Sequence, residues 1–332
     1  MLQRLFFPFI FFIFSSAALA QTLTISSTGQ TGTSGTTWNL TGSTLTVTGT
    51  ANIQSVVIET ALNSGDLTIQ GSSTAFVVNV NQAISSTTVG SDLTIGSVGN
   101  TGTVTVSANI SLASGLTVRG GYVNVNANIT SSAAGDIFLK GIATNNPSVI
   151  LQSGKTITKS GGTGTLTFQG HSSVQNSGTI TTTGTGVLNV VLWSDFDNSN
   201  NDGGVSHFGT ISTNGGHVWM GGSNSNGGSY TWNNLTVGDG PSIGSTNYNG
   251  NALNLFGNIT TFGGDLLAWA NTGPGYSGIV TDNGNEVNVG NGDIILITPY
   301  VVGIGPSLFF RQSGGTFTLV PNAGAFPSTV SS

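Results

Sequence analysis

Charge and cysteine are both scarce in this sequence of 332 residues. It contains no cysteine, six Lys or Arg and twelve Asp or Glu, which gives a formal net charge of −6. The absence of cysteine excludes disulfides, thiolate catalysis and cysteine-based zinc sites. A basic surface that would bind nucleic acid or anionic lipid is missing as well. Backbone pairing and apolar packing must therefore stabilise the chain.

Long apolar runs occur only at the amino terminus. Arg4 precedes an apolar stretch, and Ala18-Leu19-Ala20 offers a small-residue cleavage site before Gln21. This is the layout of a secretory signal peptide, and the stretch is too short to span a membrane. We predict that residues 1–20 are removed on export and that residues 21–332, without a transmembrane span, form the mature protein.

Helical patterns are also rare, because charged helix formers are few and no apolar stripe keeps a helical period. Glycine is abundant, with 51 residues, and β-branched residues recur with a period of two. Short segments alternate apolar residues with Thr, and Gly commonly leads into them, as expected of strands that follow turns. Examples are STLTV at 43–47, GDLTI at 65–69, SGLTV at 114–118, GDIFL at 135–139, GTLTF at 164–168 and GDIIL at 292–296.

These strands recur about every 22 residues, which is the signature of a solenoid. A second motif, in which a small residue and Asn or Thr precede Ile and then Ser or Thr, stands before several of them. We predict an all-β fold, a parallel β-helix of about 22 residues per coil that extends over residues 21–332. Two strands and a polar corner should make most of one coil, with roughly fourteen coils in all. The second motif occurs at 108–111, 127–130, 178–181, 209–212 and 257–260.

Three segments resemble repeats of filamentous-haemagglutinin-like adhesins, which are large exported bacterial surface proteins. They are VLWSDFDNSNNDGG at 191–204, TISTNGGHVWMGG at 210–222 and NITTFGGDLLAWA at 258–270, within a resemblance that covers about residues 100–320. The resemblance implies a right-handed coil and a cell-surface or extracellular location. It also implies a non-catalytic role in attachment to glycans or proteins of host or neighbouring cells.

The secretion motifs Asn-Pro-Asn-Leu and Asn-Pro-Asn-Gly of the two-partner-secretion members are absent. The export route therefore stays open, with an outer-membrane secretion or anchoring protein as an expected partner. Residues 314–328 look like a repeat cut off within the array. That pattern fits either a piece of a longer protein or a short separate copy.

The best candidate for a ligand site is the acidic segment at 195–203. Asp195, Asp197 and Asp202 offer hard oxygen donors beside glycine, which suits Ca²⁺. The closing acidic ligand of a helix-loop-helix calcium site is missing, so a solvated corner loop is the preferred interpretation. We expect no other cofactor.

Two glycine motifs lack the context that their chemistry requires. GPSIG at 240–244 matches a nucleophile elbow and GPGYSG at 273–278 matches a dinucleotide loop, but no helix is predicted after either. The three histidines are scattered, and we expect no catalytic role for them. The tryptophans are expected mainly in packing. These residues are His171, His207 and His217, and Trp38, Trp193, Trp219, Trp232 and Trp269.

Two alternative functions remain at this point. A parallel β-helix also hosts polysaccharide lyases and hydrolases, but here the acids are spread one per coil in the turns before strands, which favours turn chemistry. An ice-binding surface would need a threonine ladder in one register over many coils. The Thr-x-Thr pairs at 44/46, 103/105, 165/167 and 179/181 are interrupted by Val, Asn and Phe.

Overall fold

A computed structural model describes residues 21–144, 147–198, 203–225, 227–244, 251–271, 277–282, 284–299, 301–304 and 309–321. The predicted signal peptide, residues 1–20, lies outside the described residues. The described chain consists of many short strands and one short helix. It contains no helix that is both long and apolar enough to cross a membrane.

The amino-terminal part forms a cap in which strand β1 lies between β5 and β7, parallel to both. The strands β2 to β4 pair in antiparallel fashion beside β6. The cap elements are β1 (Gln21–Gln30), β2 (Ser34–Gly35), β3 (Trp38–Thr41), β4 (Thr44–Val47), β5 (Thr50–Ile53), α1 (Ser55–Leu62) and β6 (Leu67–Gly71), and β7 is Phe76–Val80.

Nine coils follow the cap, and each contributes one strand to each of three parallel sheets. We call these sheets face 1, face 2 and face 3, in the order in which a coil enters them. Corner 1 leads from face 1 to face 2, corner 2 from face 2 to face 3, and corner 3 from face 3 to face 1 of the next coil.

The strands of the three faces are numbered in chain order. Face 1 contains β7 (Phe76–Val80), β10 (Val104–Val106), β13 (Val123–Val125), β16 (Val149–Leu151), β19 (Val174–Asn176), β22 (Val205–His207), β27 (Asn251–Leu255), β30 (Ser277–Asp282) and β33 (Val301–Ile304). Face 2 contains β8 (Ile84–Ser86), β11 (Ile110–Leu112), β14 (Ile129–Ser131), β17 (Thr156–Lys159), β20 (Thr179–Thr182), β23 (Thr210–Ser212), β28 (Asn258–Thr260), β31 (Glu286–Gly290) and β34 (Phe309–Gln312). Face 3 contains β9 (Leu93–Ile95), β12 (Leu116–Gly120), β15 (Ile137–Gly141), β18 (Thr163–Gly170), β21 (Val187–Trp193), β24 (Val218–Gly221), β29 (Leu266–Trp269), β32 (Ile294–Ile297) and β35 (Phe317–Val320). A hairpin of β25 (Ser229–Trp232) and β26 (Leu235–Gly238) follows β24.

The prediction of an all-β parallel β-helix is confirmed. The expected two strands per coil were wrong, since each coil has three, and the described chain contains nine such coils instead of about fourteen. Leu93 pairs with Leu116 and Leu116 with Ile137, so these coils have 23 and 21 residues, close to the predicted 22. Other coils are longer, as between Val218 and Leu266, because they carry insertions. The right-handed sense of the coil stays a prediction.

The core consists of columns in which the same kind of side chain repeats from coil to coil. Face 2 shows this most clearly, because seven successive strands place an isoleucine inward at the same register position. β-Branched side chains fit this pleated, stacked arrangement well. Each is at most 1% exposed: Ile84, Ile110, Ile129, Ile157, Ile180, Ile211 and Ile259.

The helix α1 was not expected from the sequence. It lies beside β8, where a further strand of face 2 would otherwise stand. Val57, Ile58 and Leu62 are buried in the core. The helix therefore covers the apolar end of face 2 and gives that face no open strand edge at the cap.

Aspartates at corner 2 link successive coils, as the turn interpretation predicted. Asp66 accepts the backbone N–H of Asp92 at 2.8 Å, and Asp265 accepts that of Asp293 at 2.8 Å. Asp293 in turn accepts the N–H of Thr316 at 2.6 Å. Each carboxylate thus satisfies a corner amide that no strand partner reaches, which explains why an otherwise weakly charged chain keeps acids at this place.

A buried histidine forms part of a similar polar link at corner 1. His207 is fully buried; its Nδ1 accepts the side-chain amide of Asn176 at 3.1 Å, and its Nε2–H donates to the Asn258 carbonyl at 3.2 Å. Burial lowers the pKa of His207 to about 4, against a smaller raising effect of the Asn258 carbonyl. The imidazole is therefore neutral in the folded protein at physiological pH.

This histidine should make the folded protein sensitive to mild acid. The unfolded chain takes up a proton near pH 6.5, whereas the folded chain does so only near pH 4, so stability falls as the pH drops between these values. We expect a loss of about 2 kcal/mol by pH 5. Chemical denaturation at pH 7 and pH 5 measures it. His207→Gln, which can make both hydrogen bonds, should lose most of this dependence, and an unchanged dependence would contradict the assignment.

Candidate functional site

Corner 3 differs from the other two corners in the length of its connections. Corners 1 and 2 of the nine coils use two to six residues per turn. Corner 3 carries the longer connections, among them 96–103, 142–148, 194–204 and the segment 222–250 that contains the hairpin. Loops on a rigid scaffold are where binding residues concentrate. Corner 3 is therefore the candidate functional edge of the solenoid.

Two cations stand side by side where face 3 meets this corner. Arg119 in β12 pairs in register with Lys140 in β15, so their backbones lie about 4.8 Å apart. Each cation lies near an aromatic ring: the guanidinium carbon of Arg119 is 5.8 Å from the centre of Phe138, and Nζ of Lys140 is 3.8 Å from that of Phe196. We call Arg119 and Lys140 the cationic rung.

No acid of the described chain forms an ion pair with the cationic rung. Burial and the neighbouring charge of Arg119 lower the pKa of Lys140, while the carboxylate of Asp197 raises it. Two like charges held this close without a carboxylate partner favour the binding of an anion.

A cavity of about 150 Å³ opens beside the cationic rung. One wall is the loop at 96–100, which lies where face 3 would otherwise continue past Arg119. Asn100 fixes this loop: it is 1% exposed, donates to the Arg119 carbonyl at 3.0 Å and accepts the N–H groups of Phe76 and Gly102. Val98, 83% exposed, stands at the rim. The cavity is therefore preformed, with a fixed polar wall and an apolar rim.

The predicted calcium segment reaches the cationic rung through Phe196. Asp195 is fully buried and has a positive φ of 45°, and Asp197 pairs with Nδ1 of His171 at 2.6 Å. Phe196, between them, covers Lys140. Asp202 lies outside the described residues. Within the described residues no group of three or more His, Asp or Glu side chains is placed to hold a metal. Calcium binding by Asp195, Asp197 and Asp202 stays a prediction.

The tryptophans pack, as expected, but four of them do so outside the solenoid core. The hairpin β25–β26 covers the outer side of face 3 and encloses a second apolar cluster beneath it. Trp193 donates its indole N–H to Ser223 at 2.9 Å. None of the five tryptophans is more than 4% exposed, so none offers an open ring for stacking on a sugar. The cluster contains Trp193, Trp219, Trp232 and Trp269.

The remaining sequence motifs serve the scaffold. Ser242 of the GPSIG segment is fully buried and donates to the Ala252 carbonyl at 2.6 Å, and its recorded hydrogen-bond partners include no histidine. His217 accepts the N–H of Asp265 at 3.0 Å and lies near its carboxylate. Residues 273–276 of the GPGYSG segment lie outside the described residues, and Ser277 and Gly278 begin β30.

Face 2 presents a second regular feature on its outer side. Directly after each inward isoleucine stands a hydroxyl residue, and the strand register aligns these residues over seven coils. The Thr-x-Thr pairs considered from the sequence form no common ladder, since Thr105 lies on face 1, Thr165/Thr167 on face 3 and Thr179/Thr181 on face 2. We call this set the hydroxyl row: Ser85, Ser111, Thr130, Thr158, Thr181, Ser212 and Thr260.

Comparison of the chain with protein-family models, curated proteins and solved structures gave no match.

Proposed function

We propose that this chain is an exported bacterial adhesin of the filamentous-haemagglutinin type, a non-catalytic shaft that binds cell-surface glycans or proteins through corner 3. The observation that carries the proposal is the confinement of long connections to one edge of an otherwise short-cornered solenoid. A rigid solenoid with its long loops along corner 3 can contact a surface sideways, because the loops are held in fixed positions along its length.

Export is part of the proposal and rests on the amino-terminal sequence. Gln21, the residue after the predicted cleavage site, is held in the cap, since its side chain donates to Ser72 and accepts the N–H of Ser73. The cap thus uses the chain from Gln21 onward. Cell fractionation and amino-terminal sequencing of the product test this point: the proposal expects an extracytoplasmic protein that starts at Gln21.

A binding experiment tests the adhesin proposal itself. Residues 21–332 are applied to an array of neutral and acidic glycans and to layers of animal and bacterial cells, where saturable binding is expected. A variant with Val98→Asp and Tyr230→Asp, both on exposed parts of corner 3, should bind at least tenfold more weakly. The matched control, with Ser85→Asp and Thr158→Asp on face 2, should bind like the original chain. Equal loss in both variants, or no binding at all, contradicts the proposal.

The hydroxyl row supports a second candidate function, an ice-binding face. A sheet that repeats hydroxyl groups every ~4.8 Å over seven coils offers a regular array to an ordered water lattice. Thermal hysteresis measures this activity directly. Thr158→Lys, in the middle of the row, should abolish hysteresis, whereas Thr105→Lys on face 1 should not. The absence of hysteresis in the original chain rules this candidate out.

A further inference from the structure

We propose that the cationic rung and the cavity beside it bind a carboxylate-bearing sugar residue, such as a uronate, at the end of an acidic glycan. This inference rests on the proposed adhesin function and names the chemistry of one of its ligands. It starts from the position of Arg119 and Lys140, two of the five cations that follow residue 20.

The two cations are placed for one shared anion. Because they occupy the same register position on neighbouring strands, their side chains leave the sheet side by side. A carboxylate has two oxygens, and a guanidinium and an ammonium side by side can donate to one oxygen each. The aromatic contacts with Phe138 and Phe196 restrict both side chains before any ligand arrives, which lowers the entropy that binding must overcome.

Nearby acids do not fill this role themselves. Asp197 is the acid whose charge acts on Lys140, but its carboxylate is paired with His171 at 2.6 Å. Neither cation has an ion pair within the described chain. An incoming carboxylate therefore meets two cations that form no ion pair within the described chain, with Asp197 acting on Lys140 only through its charge.

The size and edges of the cavity favour a single sugar residue over a peptide. A volume of about 150 Å³ corresponds to roughly five waters, enough for a carboxylate and part of one ring. The strands on either side, β9, β12 and β15, are all paired, so an extended peptide finds no free strand edge to join. The exposed Val98 at the rim offers an apolar contact for a ring face.

The test compares galacturonate with galactose, which differ in the carboxylate, by calorimetric or NMR titration of residues 21–332. Galacturonate should bind and galactose should bind at least tenfold more weakly. Arg119→Gln and Lys140→Gln should each weaken galacturonate binding by about tenfold or more, the loss of one charge-assisted contact. Lys155→Gln, which removes a cation away from the cavity, should leave binding unchanged. Thermal unfolding of each variant shows whether it is folded.

Several results would overturn the inference. Equal affinity for galactose and galacturonate, or galacturonate affinity that Lys140→Gln leaves unchanged in a folded protein, removes the cationic rung as the site. An acidic peptide of the same charge that binds as tightly as galacturonate overturns the assignment to a sugar. If the chain binds neutral glycans on the array but not galacturonate, this inference fails and the adhesin proposal stands.

Discussion

Lys159→Met should lower the free energy of unfolding by about 2–4 kcal/mol, although the replacement keeps an apolar stem of similar length. Lys159 is fully buried at the end of β17. Its ammonium group donates to the hydroxyl of Ser131 at 2.9 Å, to the carbonyl of Gly135 at 2.8 Å and to the carbonyl of Ala133. Methionine leaves all three acceptors without this donor. Equilibrium denaturation in urea measures the loss.

The control for this experiment is Lys155→Met in the same coil. Lys155 is only partly buried, and its side chain makes no recorded hydrogen bond, so the change should cost under about 0.5 kcal/mol. Burial lowers the pKa of Lys159, with the charge of Asp136 opposing the shift. Equal effects of the two substitutions would show that the ammonium group of Lys159 does not hold corner 2 in place.

Gly209→Ala should destabilise the fold by about 3 kcal/mol, because it introduces a methyl group between two stacked backbones. Gly178, Gly209 and Gly257 lie above one another at corner 1. A Cβ atom on Gly209 would overlap the carbonyl of Gly178, and one on Gly257 would overlap that of Gly209. The coils can relieve this only by separating, which weakens the strand pairing on both sides.

Thermal and urea unfolding of Gly209→Ala check this expectation, with Thr210→Ala as the neighbouring control. Thr210 is exposed on the outer side of face 2, so its truncation should change stability by less than about 0.5 kcal/mol. If Gly209→Ala unfolds like the original chain, the stacked backbones at corner 1 leave room for a methyl group, which contradicts the close stacking described here.

The repeat was predictable because the sequence shows both the alternation of apolar and polar residues within strands and the recurrence of strands about every 22 residues. The number of strands per coil was not, since the strand on face 1 has only three to five residues in most cases and follows no fixed motif. The helix α1 was missed for a different reason. It forms where the end of the apolar core must be covered. That requirement comes from tertiary packing, and the repeat pattern of the sequence does not show it.

The cationic rung has a signal in the sequence that is separate from any catalytic or metal-binding motif. LTVRG and IFLKG place Arg119 and Lys140 at the same point of consecutive repeats, 21 residues apart, which is one coil. Alternate side chains of β17 point inward, which puts Lys159 on the inward side with Ile157. Phe196 and Asn100 could not be assigned from the sequence, because loops bring them to this site.

The hydroxyl row also has a signal in the sequence, at one position of successive repeats. The Thr-x-Thr pairs do not mark the row, whereas the residues that follow isoleucine in the second repeat motif do. Once the strand register is known, Thr130, Thr158 and Thr181 prove to lie in one line along face 2.

Spin-label distances along the hydroxyl row test the stacking of the coils most directly. Ser85 and Thr260 are separated by six strand steps in face 2, so labels at these exposed or half-exposed positions should lie about 29 Å apart. Ser111 and Thr260, five steps apart, should give about 24 Å. Narrow distributions at these distances, each step adding about 4.8 Å, are the predicted result. Broad distributions, or distances that follow residue separation instead of coil number, would contradict the stacked solenoid.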